Sequence, residues 1–272
     1  DWSSDVCSSD LLTGETLTVR GYDDGSYGEA FADVYDDWYD DVSDVDATVS
    51  LLARLARDVD SRPVAVELGV GTGRLAIPLA ALGIEVIGID TSPSMLAVLA
   101  EKAAGSVHGV RGDMVGALAD LEPVPLVFVA YNTLFSLLTA ERQQDCFGAV
   151  AAALVAGGRF VVEAFVPPEP DHTGAARRSG VVGVRSLSAD RVVLSIDTTD
   201  PAAQRSEGQY VEFTEAGGVR LRPWSIRWST PAQLDEMAGR AGLHLEHRWA
   251  DPTGTVFDGE AERHLSVYRR PQ

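Results

Sequence analysis

Eight consecutive residues carry the most chemistry in this 272-residue chain. Glu67-Leu68-Gly69-Val70-Gly71-Thr72-Gly73-Arg74 completes a short apolar run that starts at Val64, and it opens a helical pattern that ends at Gly83. A glycine-rich turn between a strand and a helix lets a ligand approach the backbone and permits positive φ. It also lies where α/β sheets bind ligands, outside the carboxyl ends of their strands. Dinucleotide-binding turns read G-x-G-x-x-G, with the third glycine where this chain has Arg74. Here the spacing is G-x-G-x-G, and an acid, Glu67, stands two residues ahead of it. A carboxylate there suits the ammonium of an amino-acid tail and not a pyrophosphate. The turn therefore predicts a sulfonium cofactor with such a tail.

Three further markers follow at the ends of predicted strands. Asp90, closing Ile84–Asp90, can accept both hydroxyls of a ribose in charge-assisted bonds. Gly112-Asp113-Met114 offers an acceptor for an adenine amino group beside an apolar contact. Tyr131-Asn132-Thr133 follows the fourth strand, at the face where a reaction would occur.

The elements that must position these residues alternate between two periods. Strands are expected at 64–68, 84–89, 107–110, 125–131 and 159–165, with helices at 75–82, 95–104 and 139–155 between them. Ser92-Pro93 and Thr139 are helix-start signals. Short apolar runs alternating with helices mean βαβ units and a parallel, doubly wound sheet. After Pro167-Pro168-Glu169-Pro170 the period changes. Strands at 181–187, 191–198, 209–214 and 219–228 leave no room for crossover helices, so they must pair antiparallel. A helix from Thr230 to Arg240 and strands at 243–249 and 264–268 complete the core.

Composition narrows the function further. The chain carries 22 Lys+Arg against 41 Asp+Glu, a net charge of −19, which disfavours nucleic acid or an anionic membrane surface as a partner. No stretch approaches the ~20 apolar residues of a membrane span. Lys102 is the sole lysine, which reads as high-GC, actinobacterial codon bias or as salt adaptation. Residues 1–11, Asp1 to Leu11, look like the translation of a sequencing adapter and are set apart as non-native. Without Cys7 only Cys146 remains, so no intrachain disulfide is expected, and a reducing bacterial cytoplasm is the default location. No Cys/His spacing suggests a metal.

With Val66-Glu67-Leu68-Gly69-Val70-Gly71-Thr72-Gly73 and Asp90, the chain resembles the class I S-adenosylmethionine (SAM)-dependent methyltransferases from about Tyr22 onward. The resemblance implies a Rossmann-like, doubly wound α/β sheet of seven strands, the last antiparallel, with an antiparallel β insertion after strand five. It implies that Glu67, Gly69, Gly71, Thr72 and Gly73 hold the methionine part of SAM and that Asp90 holds the ribose. Thr91 and Met95 would lie against the adenine, and Gly112, Asp113 and Met114 would read its edge. Tyr131 and Asn132 would face the methyl group. The stretch Tyr27–Tyr39 looks like the N-terminal lid of small-molecule members, with Tyr27 and Tyr35 over the cofactor. The parts implied are a lid at 12–60, a core at 61–166, an insertion at 167–229 and a completion at 230–272.

The expected activity is methyl transfer to N or O of a small-molecule acceptor. The alternatives are a cofactor-binding protein without catalysis and a nicotinamide-dependent oxidoreductase. The resemblance extends loosely to amino-sugar N-methyltransferases, some of which carry a His or Tyr after strand four, where this chain offers Ser136. His108, His244 and His247 read as structural, and His172, in a proline-rich loop, is the histidine expected nearest substrate. Glu163 is either directed to the site or paired within the sheet. The insertion is expected to roof the acceptor, with Arg222 and Trp224 contacting it. Its strands can instead pair with a second copy in a homodimer.

Overall fold

A computed structural model describes residues 19–23, 25–39, 42–61, 63–167 and 179–272. The adapter-like residues 1–11 and His172 lie outside the described residues.

The glycine turn is held by the centre of a seven-stranded sheet. The strands are β1 (Val64–Leu68), β2 (Glu85–Asp90), β3 (Val107–Arg111), β4 (Val124–Val129) and β5 (Leu154–Phe165), with β10 (His244–Trp249) and β11 (Arg263–Arg269) later in the chain. Their order is β10-β11-β5-β4-β1-β2-β3. β1 to β5 pair in parallel, while β11 runs antiparallel to both neighbours, as the resemblance implies. β1 lies between β2 and β4, so the strand order reverses there, and the crevice at such a switch point is where ligands bind.

Local chemistry sets the flanking helices. Ser92 accepts from Met95 N at 3.1 Å and caps α5 (Pro93–Ala103), with Pro93 in the first turn. Thr139 caps α6 (Ala140–Ala153), and a Thr230–Gln233 capping box starts α7 (Pro231–Arg240). The fourth strand stops at Val129, two residues short of expectation, because Tyr131 and Asn132 adopt positive φ of 47° and 68°. β5 begins earlier than expected, at Leu154, whose extended backbone ends α6 and pairs with Val124.

The N-terminal aromatic stretch forms two short helices, α1 (Ser26–Phe31) and α2 (Tyr35–Tyr39), before α3 (Val45–Arg57), with α4 (Ala76–Ala81) after the glycine turn. Glu29 latches α1 to α5 by accepting from the hydroxyls of Ser92 (2.6 Å) and Ser94 (2.7 Å).

The insertion is an antiparallel meander of β6 (Ser179–Leu187), β7 (Arg191–Asp200), β8 (Arg205–Thr214) and β9 (Val219–Arg227). One face packs on α1 and α2 through Phe31, Trp38 and Tyr210, whose rings meet edge to face at 5.4–5.9 Å. The opposite face carries three cross-strand rows that are apolar but for Gln209: Leu187–Val192–Phe213–Val219, Val184–Leu194–Val211–Leu221 and Val182–Ile196–Gln209–Pro223. No charged residue interrupts them, and Val182, Val184, Leu187 and Leu221 are exposed.

Candidate active site

Gly69 leaves β1 with φ +70°, and a Cβ on it would sit 2.2 Å from Thr133 Cγ2. The turn is pinned to β2, because Gly69 N and Val70 N both donate to Ile89 O. Asp90 then clamps the turn to the next helix: Oδ2 accepts from Gly71 N and Oδ1 from Ser92 N, each at 2.9 Å. Burial pushes the Asp90 pKa up, opposed by these amides. A Cβ on Gly71 would meet nothing closer than Met95 Sδ and Tyr35 Cε1 at 3.9 Å, so the space beside it is open.

That space is a cavity of about 380 Å³ at the carboxyl ends of β1, β2 and β4. Tyr27, Tyr35, Gly69, Gly71, Asp90, Thr91, Met95, Gly112, Asp113, Met114, Tyr131 and Asn132 line it. Three residues expected to hold the methionine part, Glu67, Thr72 and Gly73, do not line it. Gly73 serves packing, since a Cβ there would strike Leu99 Cδ1 at 2.5 Å. The buried Thr72 turns away and donates to Asp36 Oδ1 at 2.6 Å, tying α2 to the turn. Glu67 lies behind the turn, accepting from Ala76 N at the start of α4. Burial pushes its carboxyl up to about 8, with Arg74 opposing and Asp90 reinforcing. Its Oε2 is buried without a partner among the described residues, an acceptor left for a donor arriving at the turn.

On the β3 side, Asp113 Oδ1 accepts from Val115 N, Gly116 N and Arg142 Nη2, the last at 2.8 Å. Burial opposes ionisation of this carboxyl, but the amides and Arg142 outweigh it and hold the pKa low.

The remaining wall comes from β4, the lid and the insertion. Tyr131 N donates to Glu163 Oε2 (3.3 Å), Asn132 N to Glu163 O (3.1 Å), and Phe165 N to Asn132 Oδ1 (2.7 Å). Glu163 is therefore paired within the sheet, holding a turn of two left-handed residues. The Ser136 hydroxyl lines the cavity and donates to Thr133 O at 2.8 Å. Six of the chain's seven tyrosines line this one cavity: Tyr22, Tyr27, Tyr35, Tyr39, Tyr131 and Tyr210. Burial raises the phenols of Tyr27, Tyr39 and Tyr131, and takes Tyr35 to about 12, so these hydroxyls are neutral near pH 7.

Trp224 lines the cavity, with its buried Nε1 unpartnered among the described residues. Arg222 does not line it, contrary to expectation. Only 1% exposed, it bonds Asp33 Oδ1 at 2.7 Å and Glu212 Oε2 at 2.8 Å and donates to Ala30 O. With Arg220, also 2.7 Å from Asp33, it staples the insertion to the lid. The described histidines stand elsewhere. His247 stacks on Trp249 in an edge strand, and the buried His264 shares a 2.9 Å bond with Ser266 Oγ.

Residues that sequence reasoning missed as lining the site include Tyr22, Tyr39, Arg185, Tyr210, Ser225 and Ile226. The clustering of aromatic residues between Tyr27 and Tyr39 was the available signal for Tyr39; the insertion residues depend on strand register.

A family model described as a methyltransferase domain matches residues 65–158, which includes the turn, Asp90, Asp113 and Asn132. Over nearly the whole chain, the structure is similar to the CcbJ methyltransferase from Streptomyces caelestis. Identity is 37%, the match covers 92% of this chain and 100% of that one, and the TM-score is 0.80. The chain belongs to the SAM-dependent methyltransferases. This membership displaces the nicotinamide-dependent alternative. A demethylmenaquinone methyltransferase from Thermus thermophilus is 35% identical over 116 residues, 42% of this chain and 52% of that protein. The chain spans about half the length of the curated relatives it matches. A SAM-bound amino pentose methyltransferase from Micromonospora echinaspora shares the fold at 20% identity and TM-score 0.64, over 87% of this chain and 96% of that one. Among the described residues no helix is long and apolar enough to cross a membrane, and no side-chain group has the make-up of a metal site.

Proposed function

We propose that the protein binds SAM in the cavity beside Gly69, Gly71 and Asp90 and transfers its methyl group to a nitrogen or oxygen of a small-molecule acceptor. The observation that carries this is the cavity itself, in which the glycine turn and Asp90 meet Tyr131 and Asn132 across a single shared space. SAM supplies a methyl already activated by a positive sulfur. Asp90 accepts the ribose hydroxyls, Thr91 and Met95 flank the adenine, and Gly112, Asp113 and Met114 meet its edge. Tyr27 and Tyr35 close over the cofactor, and the lone Oε2 of Glu67 draws the ammonium end toward the turn. Asn132 and Ser136 orient the acceptor. Alignment of nucleophile and methyl provides the acceleration, up to ~7–11 kcal/mol in the best intramolecular models.

Nitrogen is favoured over oxygen. The neutral phenols and Trp224 face a centre that becomes cationic on N-methylation, and aromatic faces attract cations.

The test is calorimetry with S-adenosylhomocysteine (SAH) and NAD, followed by a tritium-methyl transfer screen against amines, hydroxylated metabolites and sugar nucleotides. The expected result is micromolar SAH binding, no NAD binding and label transferred to an amine. SAH binding with no transfer to any class would leave a cofactor-binding protein; NAD binding without SAH would end the reading.

The three uncharged rows on the outer face of the insertion sheet support a homodimer. At ordinary strand and residue spacings its three rows cover about 19 by 20 Å, roughly half of the ~800 Å² each partner contributes to a stable interface. A sheet face pairs with its own copy across a two-fold axis. Light scattering should give a dimer in the wild type and a monomer in the Val184→Lys/Leu221→Lys variant.

A further inference from the structure

Among the described residues the insertion carries six arginines, and five have partners that occupy them. Arg220 and Arg222 bond Asp33, Arg191 bonds Glu212 at 2.7 Å, and Arg205 stands 3.5 Å from Glu207. Arg227 is enclosed by the neutral side chains of Gln143, Gln204 and Ser229. Arg185 is different. No carboxylate among the described residues pairs with it, although the chain carries 41 of them. Of the six, it alone lines the cavity.

Its position is built. β6 and β7 pair Val184 with Leu194 and then Ser186 with Val193, so Arg185 is the extra residue of a β-bulge. A bulge re-aims a side chain, and bulges recur beside active sites for that reason. Without it, the strand's alternation would continue and shift Leu187 from the outer face. Arg185 follows the outward-facing Val184 and so lies on the cavity side, and the bulge lets Leu187 keep its place opposite Val192. The guanidinium then lies over three rings: Trp38 at 4.5 Å, Tyr210 at 5.1 Å and Tyr39 at 5.5 Å. One Nη2 bond to Trp38 O, at 3.2 Å, fixes its plane. A guanidinium has five N–H donors, and among the described residues only the Trp38 carbonyl engages this one, which leaves most of the fork for a ligand.

We propose that Arg185 is a specificity-determining residue that holds an anionic group of the acceptor, a carboxylate or a phosphate, at the mouth of the cavity. The planar fork suits either anion in a bidentate bond. A stacked, pre-oriented arginine loses little freedom when the anion arrives. The acceptor class is thus a molecule with a nucleophilic nitrogen or oxygen at one end and a negative charge at the other. This deepens the methyltransferase reading and rests on the cavity being its acceptor site.

The test measures benzoate, phenyl phosphate and benzamide binding to the SAH-saturated protein by ligand-detected NMR, in the wild type, Arg185→Gln and Arg185→Lys. At least one anion should bind about tenfold more tightly than benzamide. Arg185→Gln should erase that preference, Arg185→Lys should keep part of it, and SAH affinity should stay within threefold in both. The ranking of benzoate against phenyl phosphate distinguishes a carboxylate from a phosphate. Equal binding of benzamide and both anions in the wild type overturns the proposal, as does a preference that survives Arg185→Gln. A tenfold loss of SAH in Arg185→Gln would assign the arginine to the cofactor's own carboxylate and also overturn it. If SAH binds none of the proteins, the cofactor reading fails by itself, and the same titrations on the unliganded proteins still decide the anion site.

Discussion

The two halves of the cavity are built in opposite ways. The half proposed for the cofactor consists of strand ends and the turns after them: Gly69 and Gly71 after β1, Asp90 at the end of β2, Gly112 and Asp113 after β3. Each is within a few residues of the end of a parallel strand, and each carboxylate is fastened by main-chain amides. The acceptor half consists of side chains from segments far apart in the chain: Tyr39 in the lid, Tyr131 after β4, and Arg185, Tyr210 and Trp224 in the insertion. Here side chain holds side chain. Rigid backbone suits a ligand common to a whole family, whereas a wall of replaceable side chains lets the acceptor differ between members.

The sharpest way to break this contrast is Gly69→Ala. Positive φ costs a non-glycine residue ~1–2 kcal/mol, and the added Cβ would overlap Thr133 Cγ2. Together these predict a loss of SAH affinity of about a hundredfold or more by calorimetry. Adding Thr133→Ser removes the clashing methyl and should restore part of it. Normal SAH binding by Gly69→Ala would mean that the cofactor half is as pliable as the other.

Arg222→Ala probes the acceptor half. Removing a buried ion-pair partner costs about 3 kcal/mol, so the melting temperature should fall and hydrogen exchange should quicken in α1, α2 and the insertion. Turnover should drop while SAH affinity changes less than tenfold. A parallel fall in both would show that the lid and roof support the cofactor half as well.

Asp90→Ala should weaken SAH binding roughly 10- to 100-fold, from two charge-assisted bonds of ~1.5–3 kcal/mol at most each. Asp113→Ala should cost less, because one bond to the adenine edge is proposed for Asp113 and two to the ribose for Asp90. Equal losses would contradict the two-bond role proposed for Asp90.

A further effect concerns pH. Glu67 keeps its proton in the folded protein up to about 8, whereas the unfolded chain releases it near 4.5. The folded state therefore binds more protons in that window, and stability must fall as pH rises through it. Glu67→Gln should match the wild type at pH 5 and melt higher at pH 8.5. Identical melting curves at both pH values would show Glu67 to be ionised in the fold.

The same division decides what could be read from the sequence. Gly69, Gly71, Asp90 and Asn132 are legible because a strand end and its turn are local, and the chemistry of a turn is written in adjacent residues. The sheet was legible for the same reason: periods of two and of 3.6 alternate, and capping residues such as Ser92 and Thr139 mark the helix starts. Arg185 was not legible, because alternation places it opposite Val182 and Val184 but nothing local says that this face meets Trp38 and Tyr210. Arg222 was misread for a related reason. It shares a sheet face with Trp224, but its place on that face lies over Asp33 of the lid and not over the cavity. Thr72 and Gly73 belong to the motif yet serve packing and lid attachment, a split that spacing alone does not reveal.

The placement of β11 has a consequence for how the chain is made. β5 ends at Phe165, and the strand that covers its open edge begins at Arg263. On a ribosome, β5 must wait for the insertion, α7 and β10 to emerge before its neighbour exists. The meander β6–β9 pairs only consecutive strands, so it can form at once, as local contacts favour. For that interval the nascent chain presents an unpaired β5 edge beside a finished insertion sheet with an apolar outer face. Both are adhesive surfaces of the kind that chaperones shield. The order of synthesis thus makes the last strand a latch, and substitutions in β11 should reduce the yield of native protein more than their cost to the finished fold would suggest.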